Sequence, residues 1–321
     1  MPRFAFLIAT ILPLLAATGC GTAPERAPAV APAACAGTPA ISFLGSDTHS
    51  MYVEDWPACD VSITSAKPRI VLVHGCCHSS LYWSVTPDGR EGFAPLFRRA
   101  GYAVTLVELP GHGRAPAAAD FGSTGLEPAR AALVELLARE QRVVLIGHSM
   151  GGQVIYRALA GLDAVRRARL AGVLLLAPVR PPELIEEAES QLPSEGLIHF
   201  PPDLARALFA SSPTFPNEAF SQYYRSLVPE SAVATQEFSA PRGLAPVGAE
   251  LLRGIPAALI YGERDFIPSA RFEQSARYFA IPLFRLGADW GLADHGHMFM
   301  IERRNEAIAR RLTDWIETNA R

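Results

Sequence analysis

Beyond about residue 41 the chain alternates short, almost continuous apolar runs with longer amphipathic stretches. The runs RIVLVH at 69–74, AVTLVE at 103–108, RVVLIG at 142–147, GVLLLA at 172–177, AALIYG at 257–262 and IPLFRL at 281–286 are each too short for a typical helix. Each is predicted as a strand, and most lack the alternation of a half-exposed strand, which puts them in a parallel sheet buried on both faces. Helical stretches near 90–100, 127–140, 150–161, 268–280 and 301–319 fall between them. The pattern predicts an α/β fold, a mostly parallel sheet flanked by helices. The rhythm breaks from 178 to 254, where prolines and the aromatics Phe200, Phe209, Phe215, Phe220, Tyr223 and Tyr224 accumulate without a clear strand. That stretch reads as a helical cap inserted over the sheet, not as a second independent domain.

Composition removes several chemistries. A chain of 321 residues, 49% apolar and 19% charged, has enough material for a large core, so disorder is excluded as its main state. The balance of 29 basic against 32 acidic residues, net −3, argues against a nucleic-acid partner. Lys67 is the sole lysine, leaving no plausible residue for a Walker motif or a pyridoxal phosphate Schiff base. His112 and His148 have no metal partner at useful spacing, and neither cofactor nor metal is implied.

The first twenty residues carry one charge, Arg3, then an apolar stretch from Phe4 to Ala17 broken by Pro13. This is the layout of an export signal, and it is shorter than the roughly 20 residues that span a bilayer. Its end, Ala17-Thr18-Gly19-Cys20, resembles a bacterial lipobox. That resemblance implies a signal peptide over 1–19 and acylation of Cys20. The protein would then be an exported bacterial lipoprotein, held by an N-terminal lipid anchor and facing the periplasm or the cell surface; ordinary secretion is the alternative. Residues 20–40, rich in proline and alanine, read as a tether, with one domain over 41–321.

The segment VVLIGHSMGG at 143–152 is a predicted strand running into a predicted helix through Gly147-His148-Ser149-Met150-Gly151. A serine at the tip of such a turn is held in a strained conformation, and the flanking glycines relieve crowding between strand and helix. Here the chain resembles the α/β-hydrolase superfamily, in which GHSMGG is a frequent elbow, and the resemblance covers residues 41–319. It implies Ser149 as nucleophile. The turn His74-Gly75-Cys76-Cys77 is similar to the superfamily's oxyanion turn, which implies Cys76 N–H and Met150 N–H as oxyanion donors. The segment from His74 to Phe93 is similar to a subset of bacterial esterases with adjacent cysteines here. That resemblance implies a vicinal disulfide between Cys76 and Cys77; two buried thiols are the alternative. Cys35 and Cys59 are then left to pair with each other.

A serine hydroxyl needs a base and a carboxylate to orient that base. Gly262-Glu263-Arg264-Asp265-Phe266-Ile267-Pro268 resembles the superfamily's acid loop and implies Asp265 as the acid. Glu263 reads as a surface charge. In the Cys-Cys esterases the acid can come from an earlier strand, where this chain has Ala177; Glu183 stays open as a competitor. For the base, His295 and His297 compete, and Gly296-His297 followed by apolar residues and Glu302 fits the superfamily pattern, which favours His297.

The resulting expectation is a serine hydrolase that cleaves small-molecule carboxylic esters through an acyl-enzyme, using Ser149, His297 and Asp265. Thioesterase, amidase and carbon–carbon hydrolase chemistry share that machinery. A non-catalytic binding lipoprotein is the rival of a different class. The pattern leaves the natural ester and the oligomeric state open.

Overall fold

The computed structural model describes residues 35, 37–59, 67–185, 193–239 and 244–320. The chain divides into two compact units, Met1–Ala34 and Cys35–Arg321. The first unit, with the expected signal, Cys20 and most of the tether, lies outside the described residues.

The second unit is built on an eight-stranded sheet. Its strands are β1 (Ala40–Ser46), β2 (His49–Trp56), β3 (Arg69–Val73), β4 (Val104–Glu108), β5 (Val143–His148), β6 (Leu170–Leu176), β9 (Ala257–Tyr261) and β10 (Leu283–Arg285). A separate two-stranded ladder joins β7 (Leu197–Ile198) to β8 (Glu230–Ser231). The sheet order is β1-β2-β4-β3-β5-β6-β9-β10. From β4 to β10 every pair is parallel, whereas β1 with β2 and β2 with β4 are antiparallel. The six predicted strands are all present. β4, β5, β6 and β9 are buried at every position, as their unbroken apolar runs require.

The β1–β2 hairpin was not foreseen. Its first strand leaves Ile41 and Phe43 exposed and buries Leu44, so its apolar residues do not mark one buried face. The insertion also contains a ladder where no strand was predicted, because two residues per strand are too few to show a period. Among its described residues the insertion also holds the helices Pro202–Phe209, Phe220–Arg225 and Ala232–Ser239.

The predicted helices appear as Phe93–Arg99, Glu127–Arg139, Met150–Ala160, Ser269–Phe279 and Asn305–Asn319. The last begins at Asn305 because residues 298–304 form turns that end on Arg304 in a left-handed conformation. Among the described residues no helix is long and apolar enough to cross a membrane.

This strand order fixes where a site can form. The chain leaves β3 for β4 on one side, then returns to add β5 on the other. Connections that depart in opposite directions open a crevice beyond the carboxyl ends of β3 and β5, the usual place for a ligand in such sheets.

Candidate active site

His74-Gly75-Cys76 follows β3 and Ser149 follows β5, so the two predicted turns face each other across that crevice. Ser149 has φ 52°, a left-handed value rare outside glycine, and the helix Met150–Ala160 starts immediately after it. The surroundings over-determine this conformation: Ser149 N–H donates to Leu176 O at 3.0 Å, and Ser149 O accepts from Val179 N–H at 3.1 Å. A β-carbon on Gly151 would lie 2.5 Å from His74 O, and one on Gly75 would lie 2.9 Å from Ser149 Cβ. The elbow and the opposing turn therefore touch through their glycines.

Asp265 and His297 come together from loops beyond β9 and β10. His297 Nδ1–H donates to both Asp265 oxygens, at 2.9 and 3.1 Å, and Asp265 Oδ1 also accepts from Ile267 N–H at 2.8 Å. Both side chains are 1% exposed. The Phe266 ring lies 4.7 Å from the His297 ring and the Phe209 ring of the cap 6.1 Å away, which keeps water from the pair. Nδ1 of His297 is thus engaged by Asp265, and Nε2 is the ring nitrogen not committed to that carboxylate. The His148 ring, next to Ser149, lies 4.7 Å from that of His297. Among the described residues Ser149 Oγ makes no hydrogen bond of its own; such contacts often tighten only once substrate is bound.

The competitors are occupied elsewhere. His295 is fully buried and donates from Nδ1 to Glu302 Oε2 at 3.0 Å, while Gly296 N–H and Thr214 Oγ1 bond the same carboxylate. That pair braces the loop carrying His297. Glu183 accepts from Gly248 N–H and Tyr278 O–H, both at 2.7 Å, and has no histidine partner. Glu263 accepts the Gly287 and Ala288 amides. Ala177, which stands where an alternative acid was looked for, offers no carboxylate; its N–H donates to Ile260 O at 2.8 Å.

Three histidines around the elbow are held neutral. Burial, then the neighbouring His297, keeps His148 well below its ordinary value, and burial with His112 does the same for His74. Burial pulls His78 down to about 3. Their hydrogen bonds agree: His74 donates from Nδ1 to Gly75 O at 2.8 Å and accepts Leu109 N–H at Nε2 at 3.0 Å. His78 donates from Nδ1 to Cys76 O and accepts Tyr223 O–H at Nε2 at 2.9 Å. No motif of the sequence reaches His78, and Tyr223 is there one of the aromatics of the predicted cap. Their contact spans 145 residues of sequence, and no local pattern signals it.

The sulfurs of Cys76 and Cys77 are joined to each other, as are those of Cys35 and Cys59. Among the described residues, one group has its potential metal-ligating atoms within 4.8 Å of one another: Cys76, Cys77 and Glu230. With the sulfurs joined, it offers no thiolate to a cation. A cavity of about 190 Å³ adjoins the turn, lined by Cys77, His199, Phe200, Tyr224, Leu227 and Val228. Larger grooves of about 500 and 870 Å³ begin where β9 and β6 start, at the opposite ends of the strands, and hold no residue of this site.

A strained serine elbow at the switch point of a doubly wound sheet, with a buried histidine–aspartate pair beside it, is the layout of a hydrolase. The chain belongs to the alpha/beta hydrolase family, whose model matches residues 70–311. No curated protein matches it in sequence. Among solved structures it is similar to the methylesterase MES16 from Arabidopsis, at 20% identity over 78% of this chain and 99% of that one, with a TM-score of 0.58. It is also similar to the esterase RhEst1 from Rhodococcus sp. ECU1013, at 19% identity over 88% and 100%, TM-score 0.60. A thioesterase domain from the curacin biosynthetic pathway matches at 19% identity over 88% and 100%, TM-score 0.57. At such identities the likeness is one of fold.

Proposed function

We propose that the protein is a carboxylic ester hydrolase that works through a serine acyl-enzyme. Ser149 attacks the ester carbonyl while His297, oriented by Asp265, accepts the hydroxyl proton at Nε2. The carbonyl oxygen becomes an oxyanion on the Cys76 and Met150 amides, aided by the N-terminal end of the helix behind Ser149. Collapse expels the alcohol, which takes the proton from His297. Water, deprotonated by the same imidazole, then attacks the acyl-enzyme, releasing the acid and restoring Ser149.

The observation that carries this reading is the buried Asp265–His297 pair, its imidazole ring 4.7 Å from that of the residue preceding a serine with φ 52°. The names of the methylesterase and esterase neighbours support small-molecule esters as the substrate class. The thioesterase neighbour makes thioesters the second choice, since the same groups would serve. The test is labelling with a fluorophosphonate probe, peptide mapping of the adduct, and a panel of p-nitrophenyl esters and matched thioesters. Ser149→Ala is expected to abolish labelling and lower turnover by at least about 10⁴-fold with the fold intact. Labelling at another residue would sink the assignment.

The lipobox-like segment supports export and anchoring through Cys20 as part of the same proposal. Cys20→Ala should then move the protein from the membrane fraction to the soluble one.

A further inference from the structure

The cap is joined to the oxyanion turn by polar bonds, and they converge on one peptide group. The Cys76 carbonyl accepts the His78 Nδ1–H, and His78 is in turn fixed by Tyr223 O–H from the cap helix Phe220–Arg225. The N–H at the other end of that peptide, on Cys77, donates to Glu230 Oε2 at 3.2 Å. The next carbonyl, Cys77 O, accepts Val228 N–H at 3.0 Å. Cys77 sits at φ 65°, a left-handed conformation that a non-glycine residue keeps only when its surroundings impose it. Glu230 lies on β8, inside the cap, and its side chain is 1% exposed.

A buried carboxylate this close to a developing oxyanion would oppose the reaction if left alone. It is not left alone. His112 Nε2 lies 3.0 Å from Glu230 Oε2, and His112 Nδ1 lies 3.1 Å from Pro110 O. Both ring nitrogens face acceptors, the arrangement of an imidazolium. Its positive charge offsets the carboxylate while leaving Glu230 Oε2 able to accept the Cys77 amide.

We propose that Glu230 is a positioning residue for the oxyanion turn: from the cap it fixes the Cys76–Cys77 peptide by its N–H while His78 fixes the same peptide by its C=O, so that the Cys76 amide is set before substrate arrives. This rests on the ester-hydrolase reading and adds a role for the cap beyond walling the pocket. A donor already in place needs no ordering in the transition state, so the effect belongs in turnover and not in substrate binding.

The experiment compares Glu230→Asp with Glu230→Gln. Aspartate keeps the charge and loses the reach; glutamine keeps the reach and an acceptor oxygen. Glu230→Asp should lower kcat by about tenfold or more, with KM changed less than about twofold. Glu230→Gln should stay within about fivefold of wild type. Affinity for a trifluoromethyl ketone, whose adduct places an oxyanion in the same turn, should fall in step with kcat/KM. Equal kcat for both variants and wild type, or the reverse ranking, would overturn the proposal. Should Glu230→Asp not fold, Tyr223→Phe tests the other end of the peptide: a several-fold loss in kcat at constant KM supports the clamp, and wild-type kcat overturns it. Wild-type protein is labelled with fluorophosphonate in parallel. Failure of that control overturns the ester-hydrolase reading itself, whereas a labelled, active wild type beside an undiminished Glu230→Asp overturns only the role of Glu230.

Discussion

His148 Nε2–H donates to the main-chain oxygen of His297 at 3.1 Å, so the residue before the elbow serine holds the loop that carries the histidine paired with Asp265. Burial and the facing His297 ring keep His148 neutral, which leaves it one N–H to give, and the carbonyl takes it. The variable position in G-x-S-x-G is therefore a strut between two loops that arrive from different strands. His148→Ala should lower kcat about tenfold with little change in KM, since the imidazole would lose its fixed placement. Steady-state kinetics on one p-nitrophenyl ester checks this; an unchanged kcat would mean the loop needs no such support.

Asp265 and Glu183 are separated by a direct comparison. Asp265→Asn keeps the side-chain shape but presents an N–H where His297 needs an acceptor, and turnover should fall by roughly 10³- to 10⁴-fold. Glu183→Gln should leave turnover within about twofold, because Glu183 bonds Tyr278 and Gly248 and has no histidine partner. Measuring kcat/KM of both variants on the same substrate decides between them.

Gly75 is a steric prediction. A β-carbon there would lie 2.9 Å from His148 Nδ1 and from Ser149 Cβ, closer than side-chain atoms pack. Gly75→Ala should push the two turns apart, with about 1–3 kcal/mol of overpacking and a loss in kcat of about 100-fold or more. A melting curve and an activity assay on the same preparation read both effects, and wild-type activity would contradict the contact.

The pH dependence of stability has a definite sign. His74, His78 and His148 are held neutral mainly by burial, His78 down to about 3 from an ordinary 6.5. Below about 6.5 the unfolded chain binds protons at these positions that the folded one refuses, so stability falls as pH falls through that window. His112 behaves oppositely: burial pulls its value down, but the Glu230 carboxylate beside it and the backbone at Pro110 and Leu109 together raise it above the ordinary value. Its contribution is complete below about 6.5 and is lost as pH climbs past its raised value. The melting temperature should drop between pH 6.5 and 4, and His78→Asn, which retains a donor for Cys76 O, should flatten that limb. Parallel acid limbs in the two proteins would refute the role of His78.

The Cys35–Cys59 link ties the start of the described domain to the segment after β2, closing a loop of 24 residues. In the chain-entropy account a loop of that size is worth roughly 3 kcal/mol. Cys35→Ser with Cys59→Ser should lower denaturant stability by about that amount while leaving kcat unchanged. Peptide mapping of the unreduced protein should recover a 35–59 cross-link and a peptide with 76 and 77 joined.

The fold was legible because its determinants are local. A run such as VVLIG at 143–147 fits a strand buried on both faces, and its passage into GHSMGG marks the elbow without any knowledge of the rest. Asp265 and His297 were reachable as single motifs at the ends of two more predicted strands. The β1–β2 hairpin was not, because its first strand faces solvent with Ile41 and Phe43 and so lacks a buried face to read.

The sequence by itself determined the strands, the order in which they come, and the residue types at their ends, since each depends on a short run of side chains and its periodicity. Only the tertiary structure decided which histidine meets which carboxylate. His297 and His295 lie two residues apart in sequence, yet the first meets Asp265 and the second Glu302. It also decided that Glu230, 153 residues from Cys77, holds its amide. Such contacts form when the sheet and cap close, because a buried polar group must find a partner wherever packing leaves one, whatever its distance along the chain.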